Sequence, residues 1–190
     1  MPRPRGLPPK PPPSRLGRPT RKRIASFNSR SRSSDPPVAA VSADPPREVS
    51  KADLVLVLKD PRRLLLLRGD RVLRDYEVSL GRNPKGPKRH RGDGRTPEGR
   101  YFIEARSQDS RFHRSLRISY PNPQDREFAR RAGIEPGGDV MIHGLPNGER
   151  WIADAHREFD WTNGCIGVTD DEMNEIWELV DDGTPIEIRP

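Results

Sequence analysis

Residues 160–168 read Asp-Trp-Thr-Asn-Gly-Cys-Ile-Gly-Val, and they contain Cys165, the single cysteine of the 190-residue chain. Thr-Asn-Gly is turn chemistry, and Ile-Gly-Val behind it is a short apolar run, so the thiol sits where a turn feeds a strand. Upstream, Asp139-Val140-Met141-Ile142 is a second short apolar run, and it ends in His143-Gly144. Two short β-type runs, each punctuated by Gly, carry the two residues able to form a thiol–imidazole pair.

On the N-terminal side, Asp53–Lys59 and Arg63–Arg68 are strand candidates joined by the Asp60-Pro61 turn. Gly69-Asp70 turns the chain into Arg71–Leu80, where alternation puts Val72, Arg74, Tyr76 and Val78 on one side. Gly81–Gly99 is long, irregular and rich in Gly, Pro, Lys and Arg. A loop of that length inside a domain is commonly functional, and here it is placed to cover the cleft. Further strands follow at Gly99–Ala105, Ser115–Tyr120 and 184–188. Asn122-Pro123 predicts a helix start, with a stop at Gly133. Thr169-Asp170-Asp171-Glu172 fits a capping box, with Met173, Ile176, Trp177 and Val180 on one helical face behind it. The sum is a mainly β (α+β) domain of about seven strands. It is expected to be an antiparallel β sandwich or barrel-like fold with one or two flanking helices.

Only 31% of the chain is hydrophobic and 22 residues are proline, but both features concentrate at one end. Residues 1–50 hold eleven basic residues against three acidic ones, a surplus of eight. The whole chain carries +7, so the remainder sits at −1. This basic, proline-rich tail is expected to be disordered, with residues 51–190 forming the folded domain. The tail suits an anionic envelope surface. No base-reading motif accompanies the charge, so no nucleic acid is expected. No apolar run approaches a membrane span and no signal-peptide core is visible. One cysteine excludes an internal disulfide.

A catalytic cysteine needs a base, an orienting partner and donors for a developing oxyanion. His143, at a strand end, is the candidate base for Cys165, and the amides of Gly164 and Cys165 are candidate oxyanion donors. His156 competes from a charged segment, while His90 and His113 lie among arginines. Trp151 and Trp161 are candidates to line the cleft. Scattered histidines and one cysteine give no zinc-type spacing, so neither a metal nor an organic cofactor is expected.

Ile142-His143-Gly144 followed by Asp160-Trp161-Thr162-Asn163-Gly164-Cys165-Ile166 resembles the signature of the L,D-transpeptidase (YkuD-type) catalytic-domain family: a His-Gly, a spacer, then Ser/Thr-His-Gly-Cys. Thr96-Pro97-Glu98-Gly99 resembles the family's Thr-Pro-x-Gly turn, and the likeness runs over roughly 52–188. The resemblance implies a peptidyltransferase, expected to act as a monomer, whose substrates are peptidoglycan stem peptides. By that implication Cys165 forms a thioester with the third stem residue, His143 is the general base, and cross-linking follows. Gly164, Asn163, Thr162 and Gly144 are the implied oxyanion or substrate-binding positions. A place in the cell envelope or periplasm is implied as well.

Two positions depart from the family pattern. Asn163 stands where a second histidine is common, and asparagine cannot shuttle a proton. Gly167 stands where an arginine is frequent. The Asp-Trp-Thr-x-Gly-Cys form reads as a subgroup of the family. An L,D-carboxypeptidase or endopeptidase of peptidoglycan, a non-catalytic wall-binding module and a tail-driven polyanion binder are the alternatives.

Overall fold

The computed structural model describes residues 50–153 and 155–190. The expectation of a disordered basic tail lies outside them. Eight strands and two helices follow in order: β1 (Leu54–Leu58), β2 (Arg63–Arg68), β3 (Arg71–Glu77), β4 (Gly99–Ser107), β5 (Ser115–Ile118), α1 (Pro123–Ala132), β6 (Met141–His143), β7 (Ile166–Gly167), α2 (Asp170–Leu179) and β8 (Pro185–Arg189). Two short 3-10 turns lie between β6 and β7.

The strands form one sheet in the order β3-β2-β1-β8-β4-β5-β6-β7. It is mixed, not purely antiparallel: β1 runs parallel to β8 and β6 parallel to β7. The expectation of an antiparallel sheet fails there because each of those pairs is joined by a long crossover and not by a hairpin. The nine-residue β4 links the two halves, pairing with β8 through Gly99–Phe102 and with β5 through Ile103–Ser107. Beyond β3 the chain continues as Val78–Gly81, and Ser79 exchanges both backbone hydrogen bonds with Gly167, at 2.8 and 2.9 Å. The sheet therefore curls until its far edge, β7, is tied back to the β3 side.

Period-two burial makes the core. Val55, Val57, Leu64, Leu66, Tyr101, Ile103, Ile186 and Ile188 all point inward with almost no exposure. β3 departs from the expected alternation, because a bulge opposite Leu66/Leu67 inserts an extra residue. Leu73 consequently packs on the core and Val72 faces water, although Tyr76 and Val78 remain buried.

Both helices start where local chemistry places them. Asn122 and Thr169 each cap the N3 amide, and Asp125 and Glu172 return the bond to the cap's own N–H. Gly133 ends α1 in the left-handed region. On α2, Met173 and Ile176 are fully buried, and Val180 just beyond its end joins them, while Trp177 covers the cluster's edge. No described helix is long and apolar enough to cross a membrane.

Candidate active site

The parallel β6–β7 pair builds the site. Ile142 lies opposite Ile166 and both are fully buried in the core. Alternation then sends the neighbours of these residues, Met141 and His143 on one strand and Cys165 and Gly167 on the other, to the opposite face. Cys165 and His143 thus stand one diagonal step apart on the same face, although twenty-one residues intervene in sequence. Both line a cavity of about 740 Å3.

The imidazole of His143 is held on three sides. Its Nδ1 is 2.7 Å from the carbonyl oxygen of Gly144. A carbonyl only accepts, so Nδ1 carries the proton and Nε2 keeps the lone pair a base requires. Phe112 stacks on the ring at 4.3 Å between centroids, and Trp161 meets it edge-on at 5.7 Å. Burial between these rings pushes the imidazole below its ordinary pKa, against the pull of the Gly144 bond. The ring is therefore neutral at neutral pH.

The thiol of Cys165 rests on backbone. Sγ donates to the carbonyl of Asp139 at 3.5 Å and not to the imidazole. Asp139 has a positive φ of 53°, a conformation uncommon outside glycine. Burial raises the thiol pKa, offset in part by the Met141 amide and by the Lys88 ammonium. The resting pair is a neutral thiol beside a neutral imidazole.

Each remaining sequence-predicted residue has a definite place. The Thr162 hydroxyl, in a buried side chain, donates to the Cys165 carbonyl at 2.8 Å and accepts the Gly164 amide at 3.1 Å. That amide is consequently occupied in the resting site, whereas the Cys165 amide has no protein acceptor among the described residues. Gly164 has φ 127°, and a Cβ there would lie 2.5 Å from the Arg95 carbonyl, so only glycine fits the turn. Asn163 is exposed in the cavity wall. Gly144 contributes its carbonyl to His143 and is not part of the cavity lining. Gly167 makes room for Trp161, since a Cβ would meet the indole Cζ2 at 3.1 Å. The indole thus fills the space over the position where an arginine is frequent.

The competing histidines are elsewhere. His156 is fully buried with Nδ1 3.2 Å from the Ser79 hydroxyl. His113 bonds Asn174, and His90 is exposed. Trp161 lines the cavity, whereas Trp151 does not and instead donates to Glu149.

Sequence reasoning missed Phe112, the Asp139 carbonyl, and the order within the Gly81–Gly99 loop. Asp93 organises that loop by accepting from Lys88 Nζ and from the amides of Arg89, His90 and Arg95. Asp93 followed by Gly94 is the signal that such a turn was present. Around the cavity stand Arg82, Lys88, Arg91 and Arg111 against one carboxylate, Asp139. Such a site favours anions. Among the described residues no group of His, Cys, Asp or Glu is placed to hold a metal ion.

The profile of the L,D-transpeptidase catalytic domain (YkuD) matches residues 52–188. The chain belongs to that family. Its curated relatives include YafK of Escherichia coli strain K12, a candidate L,D-transpeptidase, with 31% identity over 113 residues. That match covers 57% of this chain and 37% of YafK, so this chain corresponds to little more than a third of its relative. Among solved structures, the helical cell shape determining protein Pgp2 from Campylobacter jejuni aligns with a TM-score of 0.54 and 22% identity, covering 72% of this chain and 46% of Pgp2. An L,D-transpeptidase from Mycobacterium smegmatis aligns with a TM-score of 0.49 and 18% identity, covering 72% and 58%. The Pgp2 likeness supports the fold.

Proposed function

We propose that this chain is a cysteine-dependent L,D-transpeptidase of the cell envelope that remodels peptidoglycan stem peptides through a thioester on Cys165. The observation that carries the reading is the parallel β6–β7 register, which aims His143 and Cys165 into one cavity walled by four cations. Family membership supplies the reaction class, and the cationic wall suits the carboxylates of stem peptides.

The chemistry follows from the two resting contacts. Substrate entry turns Sγ away from the Asp139 carbonyl and toward Nε2 of His143, which is the free acceptor on that ring. The imidazole takes the thiol proton as sulfur attacks the carbonyl carbon of the third stem residue, and the carbonyl π pair moves onto oxygen. The Cys165 amide is the backbone donor available to that oxygen. When the intermediate collapses, the C–N bond breaks and the departing D-alanine amine takes the proton back from His143. An amine from a second stem then attacks the thioester, loses its proton to Nε2, and releases the thiol with a new amide bond formed. Water in place of the amine gives a hydrolysed stem by the same route.

The deciding experiment is intact-mass analysis after exposure to a carbapenem-type acylating agent, run beside D-alanine release from a tetrapeptide stem. Wild type should gain one adduct, mapped to Cys165, and should release D-alanine, while Cys165→Ala does neither. Retained turnover in Cys165→Ala, or an unlabelled wild-type thiol, would overturn the assignment. Adding an acceptor amine separates transfer from hydrolysis by its products.

A further inference from the structure

The two amides expected as oxyanion donors, those of Gly164 and Cys165, are one short in the resting site. Acyl-transfer enzymes commonly offer two or more preorganised donors to the developing charge. Here the Gly164 amide is committed to the Thr162 hydroxyl, and Asn163, the nearest polar side chain in the turn, is exposed. Of the Gly164 and Cys165 amides, only that of Cys165 is left.

A cation is built into the gap. The Lys88 side chain is 4% exposed, and its Nζ bonds Asp93 Oδ1 at 2.8 Å and the His90 carbonyl at 3.2 Å. An ammonium has three N–H donors, so one remains. That nitrogen sits beside the nucleophile's turn, 3.8 Å from where a Cβ on Gly164 would be, and it lines the same cavity as Cys165 and His143. Asp93 fixes it from behind. Burial works to raise the Asp93 carboxyl, but the Lys88 ammonium and three backbone amides hold it down at about 2. The carboxylate therefore stays charged, a fixed counter-ion behind the buried ammonium. The titratable and charged groups facing Cys165 are His143 on β6, Asp139 on the segment before it, and Lys88 on the Gly81–Gly99 loop. Arg82, Arg91 and Arg111 are exposed at the cavity wall, so solvent screens them more than it screens a buried ammonium.

Resting on the acyl-transfer reading above, we propose that Lys88 is a third catalytic residue, whose unfilled N–H donates to the negatively charged carbonyl oxygen formed when Cys165 attacks. No proton need leave Lys88. The π pair shifts to oxygen, the ammonium stabilises it there, and the pair returns on collapse. The same charge also favours negative charge on the sulfur as its proton leaves, in line with its lowering effect on the Cys165 pKa.

The thiolate effect gives a test that needs no peptidoglycan. The pH dependence of Cys165 alkylation by iodoacetamide is measured in wild type, Asp93→Asn, Lys88→Met and the double variant Lys88→Met/Asp93→Asn. The double variant avoids leaving a buried carboxylate unpaired. Asp93→Asn unmasks the ammonium and should lower the alkylation midpoint. Both variants lacking Lys88 should raise it by about one pH unit, the lower end of the effect of a nearby opposite charge. A loosened loop would move all three the same way, so opposed shifts distinguish charge from structure. With a tetrapeptide stem, the double variant should lose about 100-fold or more in kcat with KM changed little, the range for one oxyanion donor. Coincident midpoints, shifts of one sign, or a kcat within about threefold of an active wild type would overturn the role of Lys88. A wild type that neither labels with the acylating agent nor releases D-alanine refutes the peptidoglycan reading, while opposed midpoints would still assign the ammonium to the thiol's chemistry.

Discussion

Replacing Thr162 by valine, which keeps the side chain's shape and removes only its hydroxyl, isolates one interaction in the cysteine turn. That hydroxyl makes two backbone bonds inside a buried turn, 2.8 Å to the Cys165 carbonyl and 3.1 Å from the Gly164 amide. Valine leaves both peptide groups without that partner. An unsatisfied buried group costs about 1–3 kcal/mol. Gly164 is buried but Cys165 is only partly so, and water recovers part of the second loss. Thr162→Val should therefore destabilise the domain by about 2–4 kcal/mol, built from those two costs. Urea unfolding measures it, with the midpoint falling at unchanged m. Thr162→Ser retains the hydroxyl and should lose less than about 1 kcal/mol, since only a methyl group is removed. If the valine variant matched wild type within about 0.5 kcal/mol, the size of an ordinary surface substitution, the hydroxyl could not be what holds the Cys165 turn.

Four other outcomes can be checked. Because burial depresses the His143 pKa, the unfolded chain takes up a proton on this residue more readily than the folded one, and stability rises with pH across that interval. His143 therefore makes its full contribution above its ordinary value of 6.5 and loses it as pH falls toward the depressed folded value; His143→Gln should flatten that acid limb of the unfolding free energy. Cys165 has the opposite sign: its raised pKa contributes stability below 9.0 that is lost as pH climbs through the folded value, and Cys165→Ala should remove the alkaline limb. Removing the stacked ring by Phe112→Ala lets water reach the imidazole, so the His143 titration followed by NMR should move up toward 6.5; an unchanged midpoint would rule out Phe112 as a source of the depression. Gly167→Arg, which introduces the residue frequent at that position, drives its Cβ into Trp161 and should cost about 1–3 kcal/mol. The same change on a Trp161→Ala background should cost less, and strict additivity of the two would mean that the indole does not occupy that space.

The features legible in the amino-acid sequence are those written locally. The two capping boxes are complete within four residues each, and the helices begin where Asn122 and Thr169 place them. The Leu- and Val-rich strands β1 and β2 alternate cleanly in burial and carry the core. β7 escapes such reading because it is two residues long and paired in parallel with β6, so neither its length nor its partner leaves a period to detect. The bulge that turns Val72 outward depends on how β2 and β3 meet, which no single strand encodes. At the site, His143 and Cys165 are legible from their motifs. The Thr162 hydroxyl facing inward, Phe112 on the imidazole and Lys88 beside Gly164 are not, since each joins segments that only the closed sheet brings together.

The parallel pairing of β6 and β7 separates the chemistry from the chain between them. A hairpin would bind the distance between His143 and Cys165 to the length of its turn. A crossover does not, because the ladder between Ile142 and Ile166 sets the geometry wherever the excursion wanders. The middle of that excursion can therefore lengthen or shorten without moving His143 relative to Cys165, whereas its two ends, Gly144 and 161–164, are held by their contacts to the imidazole and the cysteine turn. Asn163, exposed in the cavity wall and making no contact to the imidazole, is the position in that stretch where the wall can change while His143 and Cys165 stay put.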